Sequence, residues 1–246
     1  NIQFLIREEL IQANKIIKTT EDGSAKGECK TDEVGEICVK NPGVLVGKTY
    51  TDPKKNENLF AYSTHLKTGD LGKRDKDGYI WITGRAKDLI IRGGHNIDPA
   101  LIEDALSSHP DVAMAGAVGQ PDIRLGEVPC GYVELISDSE TTEEDLMKHA
   151  LQKVNNKLAQ PVHIEILEEL PKTPVGKIFK PDLRKKAIAR VFNESFKTSA
   201  SDATVSEVVD YSDKGLVAII NTEENVSDDK INEVVGEFII PWQRSR

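Results

Sequence analysis

Two largely apolar runs in the middle of the chain constrain the fold most strongly. DVAMAGAVGQ (residues 111–120) and VPCGYVELI (residues 128–136) are each about the length of one buried strand. Because a short polar turn separates them, we expect the two strands to pair in antiparallel fashion. Amphipathic stretches lie on both sides of this pair. The pattern predicts a compact α/β domain from about Lys87 to Asn193.

Helix signals support this domain. Asp98 offers a carboxylate cap and Pro99 suits the first turn of a helix. Thr141 and Glu144 have the spacing of a capping box before a second amphipathic stretch. A third helix is expected from Pro181, with apolar residues at helical spacing.

The segments on either side of this domain differ in pattern. Residues 1–86 are predicted to form strands and turns, including a hairpin in which Asp77 and Gly78 supply the positive φ angles of a tight turn. Residues 194–204 are small and polar, which predicts a linker. Residues 205–246 follow the order β-β-α-β. Because so short a module buries little core, we expect it to pack on the rest of the chain.

Composition excludes several classes of protein. The net charge of -9 argues against general nucleic-acid binding, and the longest apolar runs are too short to span a bilayer. Three cysteines without CxxC spacing, Cys29, Cys38 and Cys130, indicate reduced thiols and a cytoplasmic location. The five histidines show no metal-ligand spacing, so we expect no metal site. A chain that begins at Asn1 is expected to be a fragment of a longer protein.

The first motif with chemical potential is KTGDLG (residues 67–72), which places Asp70 after a Thr-Gly pair. An aspartate there can accept two hydrogen bonds from a vicinal diol such as a ribose. The alternative is an aspartate that only stabilises a turn.

The second motif is TGRAKDLIIRGGHNIDP (residues 83–99). Arg85 follows a glycine, and Gly93 and Gly94 lie between a predicted strand and a predicted helix. Such a glycine pair lets a ligand or another backbone approach closely. The alternative is an ordinary hairpin turn.

The third motif is LPKTPVGKIFKPDLRKK (residues 170–186), in which Lys177 directly follows a glycine in a loop before a helix. The loop could present one ammonium group to a phosphate. It could instead be a solvated basic loop, which is what most charge runs are.

In this order, the three motifs resemble the adenylate-forming superfamily over about residues 35–190, most closely the bacterial-type fatty acyl-CoA synthetases. The resemblance implies an α+β chain: the β-rich end of a large adenylation domain (1–86), a small mobile C-terminal domain (87–193) and an appended module (205–246). It also implies a two-step reaction. A carboxylate attacks the α-phosphate of ATP to give an acyl-adenylate, and the thiol of CoA then displaces AMP.

The resemblance assigns roles to individual residues. Asp70 should hold the ribose hydroxyls, Arg85 should assist at the ribose and phosphate, and Lys87 should be the hinge. Lys177 should be the lysine needed for adenylation. Residues expected to line the CoA channel are Gly93, Gly94, His95 and Asn96. Asn96 stands where some relatives carry a basic residue, which puts contacts with CoA phosphates there in doubt.

The implied ligands are ATP or AMP, CoA and a small-molecule carboxylic acid, with Mg bound mainly by an N-terminal part that precedes this chain. The fragment alone should therefore be inactive. Two alternatives stay open: an adenylation domain that loads a carrier protein, and a non-catalytic binding module that keeps the fold. The sequence leaves the acyl substrate and the oligomeric state undetermined.

Overall fold

The structure is a computed structural model that describes residues 14–19, 24–40, 49–199, 201–223 and 226–245. The strand-like pieces within the first thirteen residues lie outside this description. The chain divides into two compact units, Asn1–Lys87 and Asp88–Arg246. Within the described ranges, none of the helices combines the length and apolar character needed to cross a membrane.

The first unit is rich in strands, as predicted. Its sheet has the order β2-β1-β3-β5-β4, with β6 paired to β5. Alternate residues of β1 and β3 pack on opposite faces, Ile16 with Ile37 and Ile17 with Cys38. The described elements are β1 (Asn14–Thr19), β2 (Ala25–Glu28), β3 (Gly35–Val39), a short helix α1 (Pro53–Asn56), β4 (Phe60–Ala61), β5 (His65–Arg74), β6 (Ile80–Arg85) and a 3-10 turn (Ala86–Asp88).

The β5–β6 hairpin forms, but its turn differs from the predicted one. Of the two turn residues, only Gly78 has a positive φ angle, 88°. The carboxylate of Asp75 organises a longer turn by accepting hydrogen bonds from the backbone N–H groups of Asp77 and Tyr79, at 3.0 and 2.9 Å. An aspartate that binds its own backbone in this way replaces the tight two-residue turn.

The second unit contains the predicted α/β domain. Strand β10 pairs antiparallel with β9, as expected, and parallel with β11. Tyr132 and Val133 of β10 point to opposite faces. The face of Val133 packs against α2 and α3, and the face of Tyr132 packs against α4. The elements are β7 (Ile90–Arg92), β8 (His95–Ile97), α2 (Ala100–Ser107), β9 (Val112–Asp122), β10 (Gly126–Leu135), α3 (Glu143–Lys153), β11 (His163–Ile166) and α4 (Lys180–Thr198).

The capping box of α3 lies one residue later than predicted. Thr142 is the N-cap, and its hydroxyl accepts the N–H of Asp145 at 3.2 Å, while the Asp145 carboxylate accepts the N–H of Thr142. The hydroxyl of Thr141 instead donates a hydrogen bond to the carboxylate of Asp111. A tertiary partner therefore removes Thr141 from the capping role.

Helix α4 extends into the segment predicted as a linker, because it continues to Thr198 and β12 begins at Ala203. Phe196 explains the extension, since its side chain is 1% exposed in a core shared with the last module. That module has the predicted β-β-α-β order: β12 (Ala203–Tyr211), β13 (Gly215–Thr222), α5 (Asp228–Val235) and β14 (Trp242–Arg244). The expectation that it packs on the rest of the chain is confirmed.

Candidate functional site

Asp70 and Arg85 lie opposite each other on β5 and β6. Arg85 Nε donates to Asp70 Oδ1 at 2.9 Å, and the two side chains are 37% (Asp70) and 64% (Arg85) exposed. So exposed a pair contributes little to stability. Among the described residues, no partner lies against the other carboxylate oxygen of Asp70. The pair therefore presents a free acceptor and a nearby cation to solvent.

The backbone around Asp70 is held in place by hydrogen bonds. The Thr68 hydroxyl donates to the carbonyl of Ile37 at 2.8 Å and accepts the N–H of Asp70 at 3.1 Å. Gly69 adopts a φ angle of 76°, which favours glycine, and donates its N–H to Glu36 Oε1 at 3.2 Å. The Thr-Gly pair before Asp70 thus has a structural purpose.

Glu36 was not identified from the sequence. Glu36 is buried, with 7% of the residue exposed, and Lys67 Nζ lies 3.5 Å from its carboxylate. The sequence feature that could have revealed it is its inward-facing position in the alternating strand VGEICVK, which predicts a buried carboxylate. Glu36 links β3 to the first and third residues of the KTGDLG motif, Lys67 and Gly69.

A cavity of about 180 Å³ adjoins Asp70 in the first unit. Its walls are mostly apolar, and the Asp70 carboxylate is the only charged group among the described residues that line it. The lining residues are Asn14, Ile37, Val39, Thr68, Asp70, Ile80 and Ile82. A small ligand could therefore reach Asp70 from a largely apolar recess.

Lys87 lies in the middle of the 3-10 turn Ala86–Asp88 and is exposed. The boundary between the two compact units falls directly after it. Its role as a hinge stays a prediction.

Gly93 and Gly94 form the turn of a two-residue hairpin between β7 and β8, where Arg92 pairs with His95. Their φ angles are 55° and 80°, and a hairpin turn of this kind requires positive values at both positions. The pair thus has the hairpin geometry that was given as the alternative, and β8 lies between it and the predicted helix, which begins at Ala100.

The same hairpin is anchored on both sides. Gly93 donates its N–H to the carbonyl of Leu125 at 2.8 Å, and Arg92 Nη1 donates to the carbonyl of Leu158 at 2.7 Å. His95 and Asn96 are exposed beyond these anchors. The turn therefore presents backbone and two polar side chains on a fixed support.

Lys177 lies on a second tight hairpin, directly before α4. Its N–H donates to Thr173 Oγ1 at 3.1 Å, and its carbonyl accepts the N–H of Thr173 at 2.7 Å. Gly176 has a φ angle of 78° and closes the turn by donating its N–H to the carbonyl of Thr173. Val175, at the tip, is 79% exposed. The loop therefore projects into solvent with Lys177 beside its tip.

The cations near Lys177 in sequence are mostly neutralised. The pairs are Lys172 with Glu134 (2.9 Å), Lys180 with Glu103 (2.8 Å), Arg184 with Asp88 (3.9 Å), Lys185 with Asp182 (3.7 Å) and Arg190 with Glu194 (3.2 Å). In the described part of the chain, no such partner lies against the exposed ammonium of Lys177. The loop thus differs from a diffuse basic surface, since most of the neighbouring charges are compensated, with the exposed Lys186 on α4 as an exception, whereas that of Lys177 is not.

The described residues contain no group of three or more His, Cys, Asp or Glu side chains placed to hold a metal ion. We therefore assign none of the described residues to magnesium.

Comparison with known proteins gives a consistent family. Residues 101–177 match the AMP-binding enzyme C-terminal domain. The marinolic acid–CoA ligase of Pseudoalteromonas sp. is 42% identical over 207 residues, which cover 83% of this chain and 31% of that ligase. The 2-succinylbenzoate–CoA ligase of Bacillus cereus is 40% identical over 150 residues, which cover 61% of this chain and 30% of that ligase.

Solved structures agree in fold. ATP-bound MatB from Rhodopseudomonas palustris has a TM-score of 0.62 and 30% identity, over 70% of this chain and 33% of that one. The o-succinylbenzoate CoA synthetase of Bacillus subtilis, in complex with its acyl-adenylate intermediate, has a TM-score of 0.60 and 34% identity, over 70% of this chain and 34% of that one. The predicted α+β fold is confirmed.

The chain spans about a third of the length of these relatives. Two further relatives are named as ligases of dissimilar acids, sulfoacetate and trans-cinnamate. The relatives' names therefore do not support the expected fatty-acid substrate. Residues 101–177 correspond to the AMP-binding enzyme C-terminal domain, and the chain is similar to the C-terminal part of the adenylate-forming CoA ligases.

Proposed function

We propose that this chain is the C-terminal part of an ATP-dependent acid–thiol ligase, which joins a carboxylic acid to CoA through an acyl-adenylate. The observation that carries the proposal is the uncompensated ammonium of Lys177 on a projecting, internally bonded hairpin. Alone, the chain should be inactive. Loss of the motif lysine would have favoured the non-catalytic alternative, and Lys177 is retained.

The role of Lys177 follows from where charge develops. Negative charge builds on the α-phosphate oxygens during adenylation, and one positioned ammonium stabilises that transition state. Thioester formation does not need the same ammonium. A group required in one step can lie on an element that moves between steps.

Asp70 and Arg85 suit the nucleotide end of the site. The free oxygen of Asp70 can accept hydrogen bonds from ribose hydroxyls, while Arg85 holds the other oxygen and keeps a cation nearby. The adjoining apolar recess would reduce competition from water. ATP supplies the phosphoanhydride whose cleavage drives adenylation.

The second half-reaction would use the β7–β8 hairpin. Gly93 and Gly94 carry no side chains that could block a narrow thiol-bearing arm, and His95 and Asn96 would border it. Lys87 would be the pivot between the two states. The proposal includes a cytoplasmic location, which is supported by the free thiols of Cys29, Cys38 and Cys130, because unpaired cysteines are typical of a reducing compartment.

The test is to measure both half-reactions in the full-length parent. Lys177→Ala should slow adenylation roughly a hundred- to thousandfold. Supplied with preformed acyl-adenylate, the same variant should form the thioester at close to the normal rate. Lys186→Ala is the matched control, because Lys186 is an exposed lysine nearby on α4. Equal behaviour of the two variants would refute the proposed role of Lys177.

A further inference from the structure

We propose that Glu134 is a positioning residue for Lys177, acting through Lys172. This inference rests on the proposed role of Lys177 in adenylation. Glu134 lies near the end of β10, a strand in the centre of the second unit, and its carboxylate binds the incoming leg of the hairpin that carries Lys177.

The contacts of Glu134 are both backbone and side chain. Oε2 accepts the N–H of Leu170 at 2.9 Å and lies 2.9 Å from Lys172 Nζ, and Oε1 lies 3.3 Å from the same ammonium. Leu170 itself is 1% exposed, in the core beneath α4. One carboxylate therefore joins a central strand to two successive points on the leg.

The electrostatics fit a fixed ion pair. The Leu170 N–H and the Lys172 ammonium lower the pKa of Glu134, and Glu134 in turn raises the pKa of Lys172. The side chains are 19% (Glu134) and 26% (Lys172) exposed, well below the exposure of a typical surface pair. A charge-assisted bond to a backbone N–H is also more directional than a surface ion pair. These features favour a role for Glu134 in fixing the position of the hairpin that carries Lys177.

The hairpin transmits this position to Lys177. Lys172 forms a β-bridge with Ile178, and Phe179 donates its N–H to the carbonyl of Pro171 at 2.7 Å. Lys177 lies inside the loop closed by these bonds. A shift of the incoming leg would therefore shift Lys177.

A second carboxylate holds the other leg. Glu103 Oε1 lies 2.8 Å from Lys180 Nζ and accepts the N–H of Ala117 at 2.9 Å. Both legs are thus tied to α2, β9 and β10 while the tip stays free. Among the described residues, the Lys177 ammonium has no ion pair or hydrogen bond of its own, and the Lys177 backbone bonds to Thr173 within the same hairpin, so its placement depends on the two legs.

The position of Lys177 should have a large effect on the rate of adenylation. A misplacement of about 1 Å can cost a hundredfold when a catalytic group must meet a developing charge. Packing and hydrogen bonds from supporting residues are the usual means of holding such a group. Lys172, which as a basic neighbour of Lys177 would seem a neutral control, is instead part of the support.

The experiment uses Glu134→Gln in the full-length parent. Glutamine keeps the size and an acceptor for the Leu170 N–H but removes the ion pair. We expect the kcat of adenylation to fall roughly ten- to hundredfold, with the KM for ATP and the rate from preformed acyl-adenylate close to normal. Lys172→Met should give the same loss, and the double variant should be no worse than either single one. Lys148→Met is the control, because it breaks an exposed pair with Glu144 at 3.0 Å.

A second measurement does not depend on activity. In the 246-residue chain, ¹⁵N relaxation of the Gly176 and Lys177 amides should show lower order in Glu134→Gln than in the wild type. Lys172→Met gives the same test should Glu134→Gln fail to fold.

The outcomes separate the two proposals. If Lys177→Ala does not slow adenylation, the proposed function fails, whatever Glu134→Gln does. If Lys177→Ala slows adenylation but Glu134→Gln leaves both its rate and the amide order unchanged, the positioning role is refuted. Equal losses in both half-reactions would also refute it, because they would indicate general destabilisation.

Discussion

Phe192 offers a direct test of whether the last module and the α/β domain fold as one unit. Its side chain is 0% exposed, and its ring lies 5.1 Å from that of Phe238, between ring centroids. Truncating a buried phenylalanine to alanine costs about 3–5 kcal/mol. That is a large part of the 5–15 kcal/mol by which a domain of this kind is stable, so Phe192→Ala should be readily measurable.

The assay needs one probe on each side of α4. In a Trp81→Phe background, Trp242 is the only tryptophan, and its Nε1 donates to Asn232 Oδ1 at 3.0 Å within the module. Urea denaturation followed by Trp242 fluorescence reports the module. Hydrogen exchange of the Tyr132 amide in β10 reports the other core.

We expect Phe192→Ala to lower the free energy of unfolding by the same amount at both probes, because α4 contributes side chains to both cores. Ile239→Ala is the control, since Ile239 is 62% exposed and should cost about 0.5 kcal/mol or less. A loss seen by Trp242 fluorescence, with unchanged exchange at Tyr132, would show that the module unfolds on its own and would refute the reasoning.

Three further predictions concern the hinge, the nucleotide and pH. Lys87→Pro fixes φ at the boundary of the two units, so in the full-length parent the two half-reactions should respond unequally; equal losses would count against a pivot there. Asp70→Ala should weaken ATP binding by about 1.5–3 kcal/mol by calorimetry, and an unchanged affinity would make Asp70 a turn residue only. Burial, with Arg190 nearby, lowers the pKa of His163 below 6.5. The unfolded chain therefore takes up the proton first, and stability should fall as pH drops below about 6.5. His163→Gln should reduce that slope in urea titrations between about pH 5 and 7, and an identical slope would contradict the assignment.

The parts of the fold that could be predicted were those whose sequence has a clear apolar pattern. The β9–β10 pair follows from two apolar runs of strand length, and the β-β-α-β order of the tail follows from its alternating and amphipathic segments. The exact ends of individual helices were not predictable, because tertiary contacts determine where a helix begins and ends. Thr141 leaves the capping box for Asp111, and Phe196 extends α4 through a polar segment.

The site shows the same division. Motifs predict Asp70, Arg85 and Lys177 as site residues, and the structure adds that the first two form an ion pair, while the ammonium of the third has no ion-pair partner among the described residues. The supporting carboxylates were missed, since Glu134 and Leu170 are 36 positions apart and nothing local marks the contact. Neutralisation of Lys172, Lys180 and Arg184 was also not predictable, because their partners Glu134, Glu103 and Asp88 are distant in sequence. Lys185 and Arg190, in contrast, pair within α4 at helical spacing.

Helix α4 combines two kinds of stabilisation, and their magnitudes separate position from stability. Burial of α4 side chains such as Phe192 is worth several kcal/mol, which fixes where the helix packs. The charge-assisted contact of Glu134 with Lys172 is largely buried and is worth about 1.5–3 kcal/mol, in line with a ten- to hundredfold loss in rate but too little to decide whether the domain folds. That same pair nevertheless acts on the hairpin that carries Lys177, where a displacement of about 1 Å affects rate far more than stability. Phe192→Ala should therefore change the unfolding transition, whereas Glu134→Gln should change adenylation in a chain that remains folded. The opposite assignment of effects would mean that the hairpin takes its position from the apolar core and not from the carboxylates.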